Sequence, residues 1–247
     1  MLELDLWLEI AKSAALEGGN YLLQNQGKEL KVLMDSGRDI KLQLDTDTEK
    51  LIKESLSSQS SFSILGEETG LSSNLGEFYW VVDPLDGTSN FLRDIPISCV
   101  SIALMQDVTP ILGVIYDFNH DDLYFGHQNS KAFLNQNEIT VSDYSKKNQS
   151  TLVTGIPAKT HYSDEEFKNM INDFQDWKKV RMIGSAAMAA IYVAAGKAET
   201  YKENGIFLWD IAAGAAIVEA AGGVASIKNI QADYRVDAIF TNQHLAN

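Results

Sequence analysis

The densest group of reactive side chains lies in the segment Trp-Val-Val-Asp-Pro-Leu-Asp-Gly-Thr-Ser-Asn-Phe at residues 80–91. The apolar run over residues 78–82 predicts a buried strand that ends at Asp83-Pro84, and Asp86 follows three residues after Asp83. Gly87-Thr88 can then open a helix whose backbone amides suit an anion. Two carboxylates this close repel each other unless a cation is shared, and hard divalent ions prefer oxygen ligands. The alternative is a surface turn, because Asp-Pro and Asp-Gly are both common turn pairs.

Three further acidic positions could add ligands to this pair. Glu67, in the segment Gly-Glu-Glu-Thr, follows an apolar run that predicts a strand, although Glu-Glu is also typical of a solvated surface. Asp45 precedes a helix predicted over residues 47–57, and Asp210 begins an apolar helix predicted over residues 210–221. Both aspartates could instead be plain helix caps, since carboxylates are favoured at helix starts.

The charge balance limits the classes of partner. The chain has 34 acidic and 20 basic residues and a formal net charge of −14. This composition disfavours a nucleic-acid binder, which needs a basic patch to neutralise phosphates. An anionic substrate also requires bound cations to reverse the local field. An anionic partner therefore fits this chain only if metal ions are present.

The remaining composition indicates neither a disulfide nor a membrane segment. Cys99 is the only cysteine and the four histidines have no paired ligand spacing, so neither residue type predicts a metal site. The acidic N-terminal stretch does not resemble a signal peptide, and no apolar run approaches the roughly 18 residues of a membrane span. We expect a cytoplasmic location.

The pattern of apolar residues predicts one mixed α/β domain over residues 1–247. Residues 1–150 begin with a helix to about Gln26, whose Gly18-Gly19 pair predicts close packing, and continue as an antiparallel-rich lobe with a hairpin over residues 98–116. Residues 151–247 alternate between helices and strands. The division therefore falls between two lobes rather than two domains.

These motifs resemble, in order and spacing, the inositol monophosphatase family, the lithium-sensitive, magnesium-dependent sugar and polyol phosphatases. The family pattern of Gly-Glu-Glu, Trp-x-x-Asp-Pro-x-Asp-Gly-Thr-x-Asn-Phe and Trp-Asp-x-Ala-Ala-Gly with a later Gly-Gly is met at residues 66–68, 80–91, 209–214 and 222–223. The resemblance implies the α/β/α/β/α sandwich shared with fructose bisphosphatases. It also implies hydrolysis of a small polyol or sugar phosphate by a metal-activated water, and a homodimer.

The resemblance also implies a role for each matching residue. The implied ligands of two magnesium ions are Glu67, Asp83, Asp86, Asp210 and the backbone carbonyl of Leu85. A third, weaker ion would rest on Glu67 and water. The implied catalytic residues are Glu67 and a pair beside the attacking water, Asp45 and the Thr88 hydroxyl. The implied substrate-binding residues are Asp86, Gly87, Thr88, Ser185, Ala186, Asp210 and, for a polyol hydroxyl, Glu203.

The chain departs from the family pattern at two places. Where the family has Asp-Leu-Val-Thr, residues 39–42 read Asp-Ile-Lys-Leu, so a threonine is lost and a lysine is gained. The lysine that is common upstream falls near Met34, with Lys31 and Arg38 only nearby. We expect the consequence at the weak third metal site. Phe207 occupies a position that is often polar or histidine, which predicts a more apolar leaving-group pocket.

Two other functions remain open. A sister family on the same fold removes the 3′-phosphate from adenosine 3′,5′-bisphosphate, but Ser89-Asn90-Phe91 and Phe207-Leu208 differ from its pattern. Activity on fructose bisphosphate is a possible addition. A non-catalytic metal-binding relative would be expected to lack at least one key side chain. All six are present, namely Asp45, Glu67, Asp83, Asp86, Thr88 and Asp210.

Overall fold

The computed structural model of the chain describes residues 3–36, 39–157 and 161–246. Arg38, one of the basic residues noted beside the altered segment, lies outside this range. The helices of the described residues are α1 (Leu4–Asn25), α2 (Gln43–Ser57), α3 (Thr88–Phe91), α4 (Asp164–Asp176), α5 (Ala186–Ala194) and α6 (Leu208–Ala220), with a 3₁₀ turn at Lys147–Gln149. None of them is both long and apolar enough to cross a lipid bilayer.

The larger sheet has eight strands in the order β10-β9-β8-β7-β6-β5-β3-β4. Its strands are β3 (Ser63–Gly66), β4 (Gly70–Leu71), β5 (Phe78–Asp86), β6 (Cys99–Gln106), β7 (Thr109–Asp117), β8 (Asp122–His127), β9 (Ala132–Leu134) and β10 (Asn137–Ile139). Strands β3 and β5 run parallel and the other neighbours pair antiparallel. The predicted hairpin is thus confirmed as β6 and β7, and Glu67 directly follows β3.

The smaller sheet has five strands in the order β12-β11-β13-β15-β14. They are β11 (Thr151–Thr154), β12 (Lys179–Met182), β13 (Thr200–Phe207), β14 (Val224–Lys228) and β15 (Arg235–Thr241). Strand β11 runs parallel to both of its neighbours, whereas β15 pairs antiparallel with β13 and β14. A separate antiparallel hairpin of β1 (Val32–Ser36) and β2 (Asp39–Leu42) leads into α2.

The helices and sheets form alternating layers around two apolar cores. Because successive side chains of a strand point to opposite faces, Trp80 and Val82 of β5 pack with α1 and α2, while Tyr79 and Val81 pack with α5 and α6. Helices α5 and α6 fill the space between the two sheets. None of the residues of helix α4 is buried. Its Asp173 forms an ion pair with Lys202 of the smaller sheet.

Small residues allow α5 and α6, the helical layer between the two sheets, to pack closely against their neighbours. Helices α5 and α6 consist largely of alanine and glycine on their buried faces. A Cβ added to Gly113 of β7 would lie 2.1 Å from the carbonyl oxygen of Ala213, and one added to Gly214 would lie 2.4 Å from the Cβ of Ala190. Glycine is therefore required where α6 meets the larger sheet and where it crosses α5. The same reasoning applies to the predicted Gly18-Gly19 contact, since a Cβ on Gly19 would lie 2.4 Å from the Tyr116 ring.

Three predicted element boundaries are wrong, and two of them have one cause. Helix α2 begins at Gln43 rather than Asp47, and α6 begins at Leu208 rather than Asp210. In each helix the aspartate is the third residue and its carboxylate accepts the backbone N–H of the residue before the helix, at 2.8 Å for Asp45 and 3.3 Å for Asp210. An apolar residue can therefore occupy the cap position. The third error is β5, which continues past Pro84 to Asp86.

Candidate active site

A β-bulge sets the position of the two aspartates on β5. Asp83 lies opposite Ser101 of β6, and Asp86, three residues later, lies opposite Cys99, only two residues away. The extra residue bends the strand, as bulges do, and the Pro84 position needs no ladder hydrogen bond. Asp83 also accepts the backbone N–H of Leu85 at 2.9 Å. The bulge therefore turns Asp83 and Asp86 toward the same cavity.

Gly87 and Thr88 follow the bulge as a tight turn into the short helix α3. Gly87 has a φ of 89°, and a Cβ there would lie 2.7 Å from the carbonyl oxygen of Ile97. Only glycine fits this backbone conformation without strain. The Thr88 hydroxyl donates to the carbonyl oxygen of Leu85 at 3.0 Å. The predicted helix start is confirmed, with the threonine at its first position.

A carboxylate that the sequence analysis did not single out holds the turn that carries Glu67. Glu49 of α2 is completely buried and accepts the backbone N–H groups of Glu68 at 2.7 Å and Thr69 at 3.0 Å, together with the Thr69 hydroxyl. A Cβ on Gly66 would lie 2.4 Å from the Glu49 carboxyl carbon, which explains the glycine of Gly-Glu-Glu. Glu49 lies four residues after Asp45, so helical spacing could have placed both on one face.

The acidic side chains of three separate elements converge. Oxygens of Glu67, Asp83 and Asp210 all lie within 4.8 Å of one another. Burial, aided by the negative charge of Glu68, raises the pKa of Glu67 to about 8. Burial and neighbouring carboxylates also raise the pKa values of Asp83 and Asp210 well above their usual range. An oxygen-rich group that is this unfavourable without a cation fits a hard divalent ion.

Asp86 lies beside this acidic group and is surrounded by hydrogen-bond donors at the start of α5. Its carboxylate accepts the Ser185 hydroxyl and, at 2.7 Å, the backbone N–H of Ala187. These bonds and the N–H groups of Ala186 and Gly87 oppose the effect of burial, which raises the pKa of Asp86 to about 6. Ser185 and Ala186 therefore contact Asp86 directly.

Asp45 does not line the cavity formed by the described residues. One carboxylate oxygen accepts the Leu42 backbone N–H, and the other, Oδ1, is buried with no hydrogen-bond partner. Burial raises the pKa of Asp45 to about 7. The expected pairing of Asp45 with the Thr88 hydroxyl is not formed in this structure, because that hydroxyl donates to Leu85 instead.

The other predicted site residues surround one cavity of about 280 Å³, except for Ala186, which does not line it. Those lining it are Glu67, Asp83, Leu85, Asp86, Gly87, Thr88, Ser185, Glu203 and Asp210. Gly155 leaves room for Glu203, because a Cβ there would lie 2.3 Å from the Glu203 Oε1. Burial and the charge of Asp86 raise the pKa of Glu203 to about 8. Phe207 stacks on Trp209 at 4.6 Å and supplies an apolar part of the wall.

Asn90 connects the two sides of this cavity and was noted in the sequence only as part of a motif. Its side-chain amide donates to the carbonyl oxygens of Ile97 and Ile183, each at 2.8 Å. Ile183 directly precedes Gly184-Ser185, so the contact fixes the loop that leads into α5. The asparagine in Asp-Gly-Thr-Ser-Asn-Phe thus connects the segment after β5 to the loop before α5.

The family model described as the inositol monophosphatase family matches residues 3–239. The chain belongs to the inositol monophosphatase family. This confirms the resemblance found in the sequence. It also makes the chain an enzyme of a phosphatase family that depends on metal ions.

Individual relatives agree with the family. Over 220 residues the chain is 38% identical to the "Nus factor SuhB" of Xylella fastidiosa, covering 87% of this chain and 80% of the relative. It is 36% identical over 238 residues to the "Inositol-1-monophosphatase" of Synechocystis, covering 91% and 79%. The crystal structure of the extragenic suppressor protein suhB from Bartonella henselae has a TM-score of 0.86 at 31% identity, covering 97% and 95%. The layered fold predicted from the resemblance is therefore confirmed.

Proposed function

We propose that the chain is a magnesium-dependent phosphomonoesterase that hydrolyses a small polyol or sugar phosphate. The observation that supports this most directly is the group of Glu67, Asp83 and Asp210 oxygens within 4.8 Å of one another, beside the Gly87-Thr88 turn. Mg²⁺ binds through a few carboxylates and keeps the rest of its coordination for water and phosphate oxygens. We further propose a single domain over residues 1–247, a cytoplasmic location and a homodimer.

Four carboxylates and one carbonyl would hold the metal. Glu67, Asp83 and the Leu85 carbonyl would bind one ion, and Asp83, Asp86 and Asp210 a second, so that Asp83 is shared. Bound magnesium would supply a Lewis acid for the phosphoryl oxygens and lower the pKa of a bound water. The raised pKa values of these groups indicate that their ionised forms need such a cation.

The chain itself would position the phosphate and the attacking water. The backbone N–H groups of Gly87 and Thr88 would donate to the phosphate oxygens. Asp45 Oδ1 has no partner and would accept a proton from the water, while the Thr88 hydroxyl would turn from the Leu85 carbonyl toward the same water. No side chain needs to act as a nucleophile, because in-line attack on a phosphate depends mainly on positioning and charge neutralisation.

The opposite side of the cavity would hold the leaving alcohol. Glu203 would accept a hydrogen bond from a hydroxyl of a polyol, and Ser185 would keep Asp86 oriented toward the substrate. The Phe207 ring, which is supported by the stacked Trp209, gives this wall an apolar surface that also suits the face of a sugar ring. These features favour a neutral hydroxylated leaving group.

A substrate panel tests the proposal. The full chain is assayed for phosphate release from inositol 1-phosphate, fructose 1,6-bisphosphate and adenosine 3′,5′-bisphosphate, each with magnesium and with excess chelator. We expect release only with magnesium, and a higher kcat/KM for the first substrate than for the third. A preference for adenosine bisphosphate would identify a nucleotidase instead, and activity in chelator would refute the metal-dependent mechanism.

A further inference from the structure

Lys41 of β2 brings a positive charge to the edge of the acidic group. Its Nζ lies 2.9 Å from Glu68 Oε1, and the side chains of Lys41 and Glu68 are only 23% and 6% exposed. The positive charge of Lys41 also partly opposes the rise in the pKa values of Asp45 and Glu67. The ammonium thus acts on three carboxylates at once. This is the lysine that the altered segment over residues 39–42 introduces.

A second lysine near the same turn has a different position. Lys53 of α2 lies 3.1 Å from Glu49 and donates to the Gly70 carbonyl at 3.0 Å. Lys53 therefore pairs with the acid that anchors the turn, whereas Lys41 pairs with Glu68, the residue next to Glu67.

The position of Lys41 has a consequence for the number of divalent ions. An outer ion that rested on Glu67 would bind next to Glu68, whose carboxylate is already paired with the Lys41 ammonium, and two cations close together in a partly buried site repel strongly. The ammonium is part of the chain and stays there at any free magnesium concentration. It also holds Glu68, and so helps Glu49 to fix the turn that carries Glu67.

We propose that the Lys41 ammonium is a resident cation of the active site, which takes the place of an outer divalent ion and limits the chain to two bound divalent ions. The inference rests on the proposed function, because it assumes that Glu67, Asp83, Asp86 and Asp210 bind metal. Lys41 is a positioning residue in this scheme and contacts no substrate. Its role is to neutralise negative charge next to Glu67 through its ion pair with Glu68.

Metal binding to the full-length chain tests the proposal without any activity measurement. Mn²⁺ is titrated by calorimetry, and bound ions are counted by electron paramagnetic resonance at constant pH. We expect two ions for the wild type. In Lys41→Met we expect a third bound ion, or an increase in affinity of at least about tenfold for the outermost ion, because one repelling charge is gone. Lys41→Arg, which keeps the charge, and Lys50→Met, which removes an exposed lysine from α2, are the matched controls and should behave as the wild type.

The outcomes separate the two proposals. If the wild type binds no Mn²⁺, the proposed function fails. If it binds Mn²⁺ and Lys41→Met has the same stoichiometry and affinities, only the role of Lys41 is refuted. Thermal unfolding without metal checks that the variants are folded. Should Lys41→Met not fold, Glu68→Gln provides the opposite test, since it removes an anion but keeps the ammonium. It should weaken Mn²⁺ binding by about tenfold, and unchanged binding would overturn the proposal.

Discussion

Replacement of Glu49 should damage both stability and metal binding, although this residue does not line the cavity of the described residues. Its buried carboxylate accepts two backbone N–H groups and a hydroxyl from Glu68 and Thr69 and pairs with Lys53. Glu49→Ala leaves those donors and the lysine charge without their partner. Loss of one member of a buried, hydrogen-bonded ion pair costs about 3–5 kcal/mol.

The expected change is large enough for simple assays. For a chain of this size, each kcal/mol lowers Tm by about 2–4 °C, so Glu49→Ala should lose roughly 6–20 °C. The turn that carries Glu67 would also lose its anchor. Supporting partners of metal ligands typically contribute about 10–100-fold in metal affinity or activity, and we expect a rise of that order in the magnesium concentration for half-maximal activity.

Glu54→Ala is the matched control for this prediction. Glu54 lies on the same helix as Glu49 but is exposed, and such surface substitutions usually change stability by less than about 0.5 kcal/mol. Differential scanning calorimetry and magnesium titrations are run on both variants. If Glu49→Ala cannot be distinguished from Glu54→Ala in Tm and in half-saturating magnesium, the anchoring role of Glu49 is refuted.

Three further predictions concern the cavity itself. Asp83→Asn should lower kcat by more than about 100-fold, because a shared metal ligand should matter more than the supporting partners that give 10–100-fold effects, whereas Glu203→Gln should act mainly through KM and substrate preference. Equal losses of kcat with unchanged preference would contradict these roles. Thr88→Ala and Asp45→Asn should each lower kcat by about 10²–10⁴-fold, and the double variant should be little worse than either single one because they act as a unit. If Asp45 is only a helix cap, Asp45→Asn would instead cost about 1 kcal/mol of stability and leave kcat nearly intact. Calcium should inhibit in the presence of magnesium, since its longer and looser bonds would misplace the water, and a steady-state titration that shows activation by calcium would count against the proposed site.

Elements with a strong local pattern could be predicted from the sequence. The long helix α1, the β6–β7 hairpin and the glycine after α6 all follow from apolar spacing or turn chemistry. The acidic group could also be anticipated, since Glu67, Asp83 and Asp210 each lie at or near the end of a strand or the start of a helix. That these three side chains meet at one site, however, is predicted by the family resemblance and not by the local pattern.

The features that the sequence did not reveal depend on tertiary contacts. Strand β5 continues past Pro84 because a bulge against β6 removes the need for an N–H there, and a bulge leaves no clear local signal. The edge strands β12 and β14 are short and partly exposed, so they lack a regular apolar alternation. Glu49 was overlooked because its partners lie about twenty residues away, although it shares a helix face with Asp45.

The close packing of alanine and glycine in α5 and α6 limits which substitutions an active chain can accept, as well as how densely the core packs. Asp210 belongs to α6 and Asp83 to the larger sheet, and α6 approaches that sheet closely because Gly113 has no side chain where it meets Ala213. One added methylene in this layer would move α6 away from the larger sheet, and so change the distance between Asp210 and Asp83 that a shared metal site requires. Some substitutions in this layer, well away from the cavity, should therefore reduce activity even when the chain still folds stably. A saturation mutagenesis screen scored separately for abundance and for turnover would show this as positions where the folded chain accumulates but is inactive.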